Sequence, residues 1–370
     1  MANNNKHTGP NVPALRFPEF SGEWEKVLLS SACEINPKTG SLDNQFLYID
    51  LESVVKGSLV KRQIIEKDGA PSRAQRVLKE NDILYQCVRP YQLNNYIFEG
   101  DTIQCVASTG YAQLRTTQFP LYIFQALHTK QFTNQVLERC TGTNYPAINS
   151  SDLGTVEVPI CSLPEQVKIG SLLALIDSRI KTQSKIIEEQ ETLLKSLADS
   201  LISSQVANMA LNDCVVARSS AMKESELENS GPFPVFGASG LCGYSNEALE
   251  ESDSILVTKD GSGVGTCQYA TGAHAFLGTL CSLTAKEGVY LPYIYYALLN
   301  FNFASFKTGL AIPHIYFKDY GKAVIYCPFY DEQVRIASGF EKIEAKIKSD
   351  KELLKQYQVQ KEYLLSRMFI

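Results

Sequence analysis

"PEQVKIGSLLALIDSRIKTQSKI" (residues 164–186) and "DEQVRIASGFEKIEAKIKSDKEL" (residues 331–353) open two helices of one chain in nearly the same way. Glu165-Gln166-Val167 returns as Glu332-Gln333-Val334, an offset of 167 residues, and at that offset the match needs no gap from Thr141 to the last residue. Ahead of the helix, Thr141-Gly142 lies over Thr308-Gly309, Pro146 over Pro313, Ile148 over Ile315, Asp152 over Asp319 and Gly154 over Gly321. Two unrelated amphipathic helices would share apolar spacing, but not these flanking turn residues as well. The chain therefore reads as an internal duplication. Its period is far longer than the ~20–50 residues of a solenoid repeat, so the repeated unit is a globular domain plus a helix.

The helices carry a second regularity. Leu173, Ile176, Ile180, Ile187, Leu194, Leu197 and Leu201 advance in steps of three and four, with Gln183 and Gln190 filling the gaps. Phe340, Ile343, Ile347, Leu354, Tyr357, Leu364 and Met368 do the same, interrupted by Asp350 and Lys361. This is heptad spacing. Pro164 and Asp331 sit where a helix start accepts them. Equal length and matching seams predict that the two helices pack on each other as an antiparallel coiled coil. The alternative is that each stripe packs on its own globular domain. Antiparallel pairing would hold two globular units a fixed distance apart, each at the N-terminal end of its own helix, in the manner of a two-fold dimer written in one chain.

Outside the helices the pattern is mixed. "QFLYID" (45–50), "DILYQCV" (82–88), "NNYIFEG" (94–100) and "TIQCVAS" (102–108) are short, β-branched and aromatic, as strands are. "FPLYIFQALHTKQFTNQVL" (119–137) reads as helix, with "YLPYIYYALLNFNFASF" (290–306) as its counterpart. The expected class is α+β: two globular α/β-type domains separated by two long helices. The expected boundaries are a disordered tail at 1–13, a first domain at 14–160, a central helix at 161–205, a second domain at 206–327 and a C-terminal helix at 328–370.

Composition narrows the function. No apolar run reaches the ~18–20 residues of a membrane span, and the polar start "MANNNKHTGPNVP" lacks a signal-peptide pattern. The ten cysteines show neither C-x2-C nor C-x4-C spacing, and the four histidines form no ligand pair. A disulfide framework and a metal site are thus unsupported, and a reducing cytoplasm fits. The net charge of −5 argues against a free-standing nucleic-acid binder. No Ser/His/Asp or paired-carboxylate constellation suggests catalysis.

Some residues suit DNA. "QCVRPYQLNN" (86–95) offers Gln86, Arg89, Tyr91, Gln92, Asn94 and Asn95; Arg pairs with guanine edges, Asn and Gln with adenine. An ordinary polar loop is the plainer reading. Lys56–Lys79 is rich in basic residues, among them Lys61, Arg62, Arg73 and Arg76, fit either to follow a phosphate backbone or to form a solvated face. In the second half, Gly261-Ser262-Gly263-Val264-Gly265 lacks the helix and motif of a phosphate loop. It reads as a hairpin turn needing positive φ, or as a backbone-donor turn touching a ligand or DNA phosphate. Lys259, Ser262 and His314 join the candidates there.

These stretches resemble the specificity subunits of type I restriction-modification enzymes. "VPALRFPEFSGEWEKVLL" (12–29) is similar to the start of such subunits, "PFPVFGASGLCGY" (232–244) and "TGLAIPHI" (308–315) to pieces of their recognition domains, and "LLSRMFI" (364–370) to their C-terminus. The two helix openings are similar to their conserved helical regions. The second half lacks the F-P-E-F-x-x-x-W opening. The resemblance implies two target-recognition domains, each reading one half of a split, asymmetric double-stranded DNA site. It implies helices that set the unread spacer and dock two methyltransferase subunits, with two restriction subunits where a system carries them. It implies no catalysis and no cofactor on this chain: S-adenosylmethionine would sit on the methyltransferase subunits, ATP and Mg on the restriction subunits. The remaining readings are a coiled-coil scaffold and a stand-alone DNA binder. An acidic chain of this kind is expected to bind DNA weakly alone, with partners supplying phosphate attraction.

Overall fold

The structure is a computed structural model that describes residues 11–142, 144–309 and 312–370. It divides into two compact units: the first runs to Gln183 and includes Leu353–Ile370, the second is Ser184–Glu352. Leu163–Ala198 (α3) and Tyr330–Met368 (α5) each contribute to both.

In the first unit, two four-stranded sheets form. One has the order Gln63–Glu66, Gln45–Ile49, Cys105–Ser108, Ala74–Val77; the other is Cys33–Ile35, Tyr111–Thr116, Ile83–Gln86, Tyr96–Ile97. Side-chain alternation along Ile83–Gln86 explains why the whole strand is buried. Leu84 joins Leu47, Ile49, Phe98 and Tyr111 in one core. Ile83 and Tyr85 face a second core shared with helices Pro120–Ala126 (α1) and Lys130–Glu138 (α2). The stretch 119–137, expected as one helix, breaks between these two because Thr129 restarts it, its hydroxyl accepting the Phe132 N–H.

The same unit gathers the chain's start and end. Trp24 is buried against Tyr122 and Phe369. Leu15 N–H donates to Arg367 O and Trp24 N–H to Asn11 O, each at 2.8 Å. Pro13 is buried. The chain is therefore fixed from Asn11 onward, inside the stretch expected as a loose tail, because the Trp24 core needs it; residues 1–10 lie outside the described residues.

In the second unit, Val215–Ser219, Leu280–Ala285, Ser254–Thr258 and Cys267–Ala270 form one sheet, and Gly240–Ser245, Phe233–Gly237 and Ala275–Phe276 another. Helix Leu291–Leu299 (α4) packs on the first of these. The half without the sequence opening still builds its first strand, Met209–Ala210, against Val324–Ile325, as Glu25–Leu28 pairs with Glu157–Ile160 in the first unit.

The duplication extends to single hydrogen bonds. Gln166 Oε1 accepts the Phe119 N–H and its Nε2 donates to Cys161 O. Gln333 does the same with Tyr290 N–H and Pro328 O. The hydroxyls of Tyr122 and Tyr293 donate to Pro159 O and Tyr326 O. The repeated Glu-Gln-Val is therefore a clip: its buried Gln ties the long helix to the short helix before it. Gly170 lets the first pair approach, since a Cβ there would lie 2.7 Å from Tyr122 N. Ala337 holds the corresponding place in the second unit.

Within each unit the long helices run antiparallel. In the first, Asp177 meets Lys361 at 2.5 Å, Arg179 lies over the Tyr357 ring, and Ile169 and Leu173 share a core with Leu364, Met368 and Phe369. In the second, Gln190 Nε2 donates to Asp350 at 2.9 Å, while Leu194 and Leu197 reach the core of Phe340. Leu173, Ile176, Ile187, Phe340, Ile347 and Met368 are buried; Ile180, Leu194, Leu197, Ile343, Leu354, Tyr357 and Leu364 are half-buried. Both packings expected of the seam occur together, since the stripe also faces its globular domain. Leu201 is a correction: it is exposed, and Ile202 is buried in its place. Residues Asp199–Ser203 form a π turn closed by Ser204 N–H to Asp199 O. Its extra residue rotates the seam by one position.

Candidate nucleic-acid interface

Arg89 and Leu93 open and close a tight turn with φ of 53° each, left-handed values that L side chains adopt at a cost. Gly261 and Gly265 open and close a turn with φ of 96° and 92°. Their surroundings show these to be one turn, built twice. Arg89 N–H donates to Pro146 O, and Gly261 N–H to Pro313 O. Gln92 N–H closes on Arg89 O, and Val264 N–H on Gly261 O. Both turns abut a second loop, held by the Thr141–Ala147 bridge in the first unit and the Thr308–His314 bridge in the second. Gly142 and Gly309 shape that loop: a Cβ would lie 3.0 Å from Tyr145 O and 2.4 Å from Ile312 O. Two adjoining loops, one from a strand end and one before the long helix, thus make a two-loop edge on each unit.

The first edge carries cationic and aromatic groups. The Arg89 guanidinium lies over the Tyr145 ring, 4.4 Å from its centroid, and both Tyr145 and Tyr91 are exposed. Backbone bonds join Thr109 to Arg73 and Gly110 to Cys87, so Arg73 and Arg76 approach this turn. Arg73 is exposed. Arg76 Nε is buried without a hydrogen-bond partner among the described residues, and burial lowers its pKa, opposed by the nearby Cys87. Lys61 and Arg62 differ. Lys61 lies 3.8 Å from Asp50, and Arg62 binds Asp101 at 2.5 Å, holding that carboxyl below its usual range. Both are surface pairs, with Lys61 47% and Arg62 59% exposed.

Three expected base readers turn out to be braces. Gln86 is buried; its Nε2 donates to Val88 O and Gln92 Oε1, and its Oε1 accepts the Asn94 N–H. Asn95 is fully buried and accepts the Gln86 N–H. Asn94, half-buried, accepts the Lys56 N–H. A non-glycine turn needs such bracing, and polar side chains supply it because buried backbone groups must be bonded. Gln92 remains exposed, with its Oε1 engaged by Gln86.

The second edge is chemically different. Ser262 is exposed at the turn's crest, and Lys259 is half-buried with its N–H bonded to Thr279 O. Asp260 bridges to His314, whose ring stacks edge-on against Tyr316 at 5.2 Å. Lys318 lies over that Tyr316 ring at 5.1 Å. Leu310 and Ala311 lie outside the described residues. Tyr145, Tyr316 and Lys318 also stand at these edges, outside the residues expected from the sequence. The signal for Tyr145 was present in the matched T-G…P-x-I that precedes each helix.

A doubled frame thus carries two edges with unlike side chains. The model of the type I restriction modification DNA specificity domain matches residues 21–192 and 204–357, and the chain belongs to that family. The type I restriction enzyme HindI specificity subunit of Haemophilus influenzae is 24% identical over 162 residues. That match covers 42% of this chain and 32% of the relative, so the chain spans about a third of that relative's length. Among solved structures, the S subunit of a type I restriction-modification system from M. genitalium superposes with a TM-score of 0.68 at 19% identity, covering 97% of this chain and 99% of that one. A chain from a structure on complex assembly and conformational transition of the type I R-M system gives 0.56 at 19% identity, covering 94% and 97%. These two likenesses establish the fold.

Proposed function

We propose that this chain is the DNA-specificity subunit of a type I restriction-modification complex, in which each unit reads one half of a bipartite, asymmetric site. One observation carries the reading: the same two-loop edge is built twice, with different side chains at equivalent places. Two copies of one frame with unlike edges suit two unlike half-sites. Base contacts specify while phosphate contacts position, and the first edge offers both kinds: Arg89 beside Arg73 and Arg76. The long helices would set the spacer and dock two methyltransferase subunits holding S-adenosylmethionine; restriction subunits with ATP and Mg would join where present. The chain itself would recognise DNA without catalysing its modification.

The test is co-expression with a type I methyltransferase subunit from the same source, followed by sequencing of modified bases. A split motif with two different halves is expected. No methylation, or a symmetric or unsplit motif, would overturn the reading.

A further inference from the structure

We propose that Arg89 reads a guanine in the half-site bound by the first unit, and that the corresponding turn of the second unit has no such reader. The proposal rests on the reading of the chain as a DNA-specificity subunit. Its starting point is the comparison of the two turns. Glycine at the first position of this turn is free of strain, as Gly261 shows at φ 96°. Arginine there, at φ 53°, is not. Arginine kept where glycine would carry no such cost motivates a use for its side chain, which the ring contact then specifies, whereas Leu93 at the same φ offers no polar group.

What Arg89 presents is also specific. Arg89 is half-buried, and its guanidinium lies over the exposed Tyr145 ring at 4.4 Å, a contact that restrains the group. Among the described residues no carboxylate or carbonyl takes a hydrogen bond from that group. The backbone below is held by Gln86, which engages Val88, Gln92 and Asn94 together. A flat, restrained fork with unspent donors matches the O6 and N7 pair of guanine in the major groove. A phosphate also accepts a bidentate arginine, but Arg73 and Arg76 flank the turn and suit that role without needing a strained backbone.

The experiment uses the complex reconstituted with its methyltransferase subunit and compares wild type with Arg89→Gly and Arg89→Lys. Arg89→Gly is chosen because it installs the residue the second unit already uses, so the variant is expected to fold at least as stably. Modified-base sequencing should show that discrimination at one guanine of the first half-site falls roughly tenfold to a hundredfold. The second half-site should be unchanged, and Arg89→Lys should recover only part of the loss. A different outcome is a uniform loss of affinity over all sequences, a salt dependence reduced by about one phosphate and full recovery by lysine. That result would make Arg89 a phosphate contact and overturn the proposal. An unchanged motif with lowered thermal stability would make Arg89 structural and overturn it too. If the wild-type complex yields no split motif, the parent reading fails, and this one fails with it.

Discussion

Arg89-Pro90-Tyr91-Gln92-Leu93 and Gly261-Ser262-Gly263-Val264-Gly265 reach matching hydrogen bonds and left-handed ends by opposite means. The second turn places glycine at both left-handed positions, so its shape comes from local freedom. The first places Arg and Leu there and holds them with buried Gln86 and Asn95 and half-buried Asn94. The difference teaches how a duplicated frame diversifies. Geometry is preserved by backbone bonds to the neighbouring loop, while side chains at the crest change freely provided that something else carries the strain. The first unit sets a half-buried arginine over an exposed tyrosine, and the second exposes serine beside a histidine–tyrosine–lysine cluster.

The sharpest way to break the comparison lies at the repeated glutamate. Glu165 and Arg16 form a pair only 1% and 2% exposed, at 2.7 Å, and Arg16 also reaches Gly22 O and Ser21 O. Its counterpart Glu332 pairs with Arg335, which is 77% exposed. Arg16→Ala leaves a buried carboxylate uncompensated and should destabilise the first unit by about 3–5 kcal/mol. Arg335→Ala, at a solvent-exposed pair, should leave stability nearly unchanged. Denaturant unfolding of the full chain measures both, and similar losses would show that the two helix starts are energetically alike.

A smaller effect tests the π turn. Ile202→Ala should cost about 2–5 kcal/mol because it empties a core position. Leu201→Ala should stay within about 0.5 kcal/mol, as an exposed site does. In the first unit the corresponding residues, Met368 and Phe369, are both buried, so alanine at either should be costly. Equal costs at Leu201 and Ile202 would mean that the helix runs in plain α register there.

The smallest effect is a pH dependence confined to one unit. His128 Nδ1 donates to Phe124 O at 2.7 Å, and Nε2 faces the Asn95 amide at 3.4 Å. Burial, with Lys361 nearby, lowers its pKa from 6.5 to about 4, partly offset by Asp177. The folded state therefore prefers neutral imidazole. Its contribution is complete above about pH 6.5 and is lost as pH falls towards 4, because unfolding then takes up a proton. The corresponding residue in the second unit is Leu299. Amide exchange across residues 120–138 should accelerate from pH 6.5 to 5 in wild type, after correction for intrinsic rates, and less so in His128→Gln. Identical profiles would remove His128 as the cause.

The matched words around Glu165 and Glu332 determined the duplication and the two long helices, because helix seams and turn glycines are local patterns that survive in one dimension. The Gly261–Gly265 hairpin was legible for the same reason. The tertiary structure alone decided what the polar residues do. Nothing in "RPYQL" and "GSGVG" suggests a common turn; backbone bonds to Pro146 and Pro313 reveal it. Gln86 and Asn95 looked like base readers and are buried braces, since an amide side chain takes its role from partners the fold brings to it. Lys61 and Arg62 looked like phosphate contacts, and each faces a carboxylate supplied from elsewhere in the fold. Arg16 finds Glu165 across 149 residues, and one extra residue in a π turn exchanges Leu201 for Ile202. Each outcome depends on which groups meet at a distance in sequence, which no periodicity encodes.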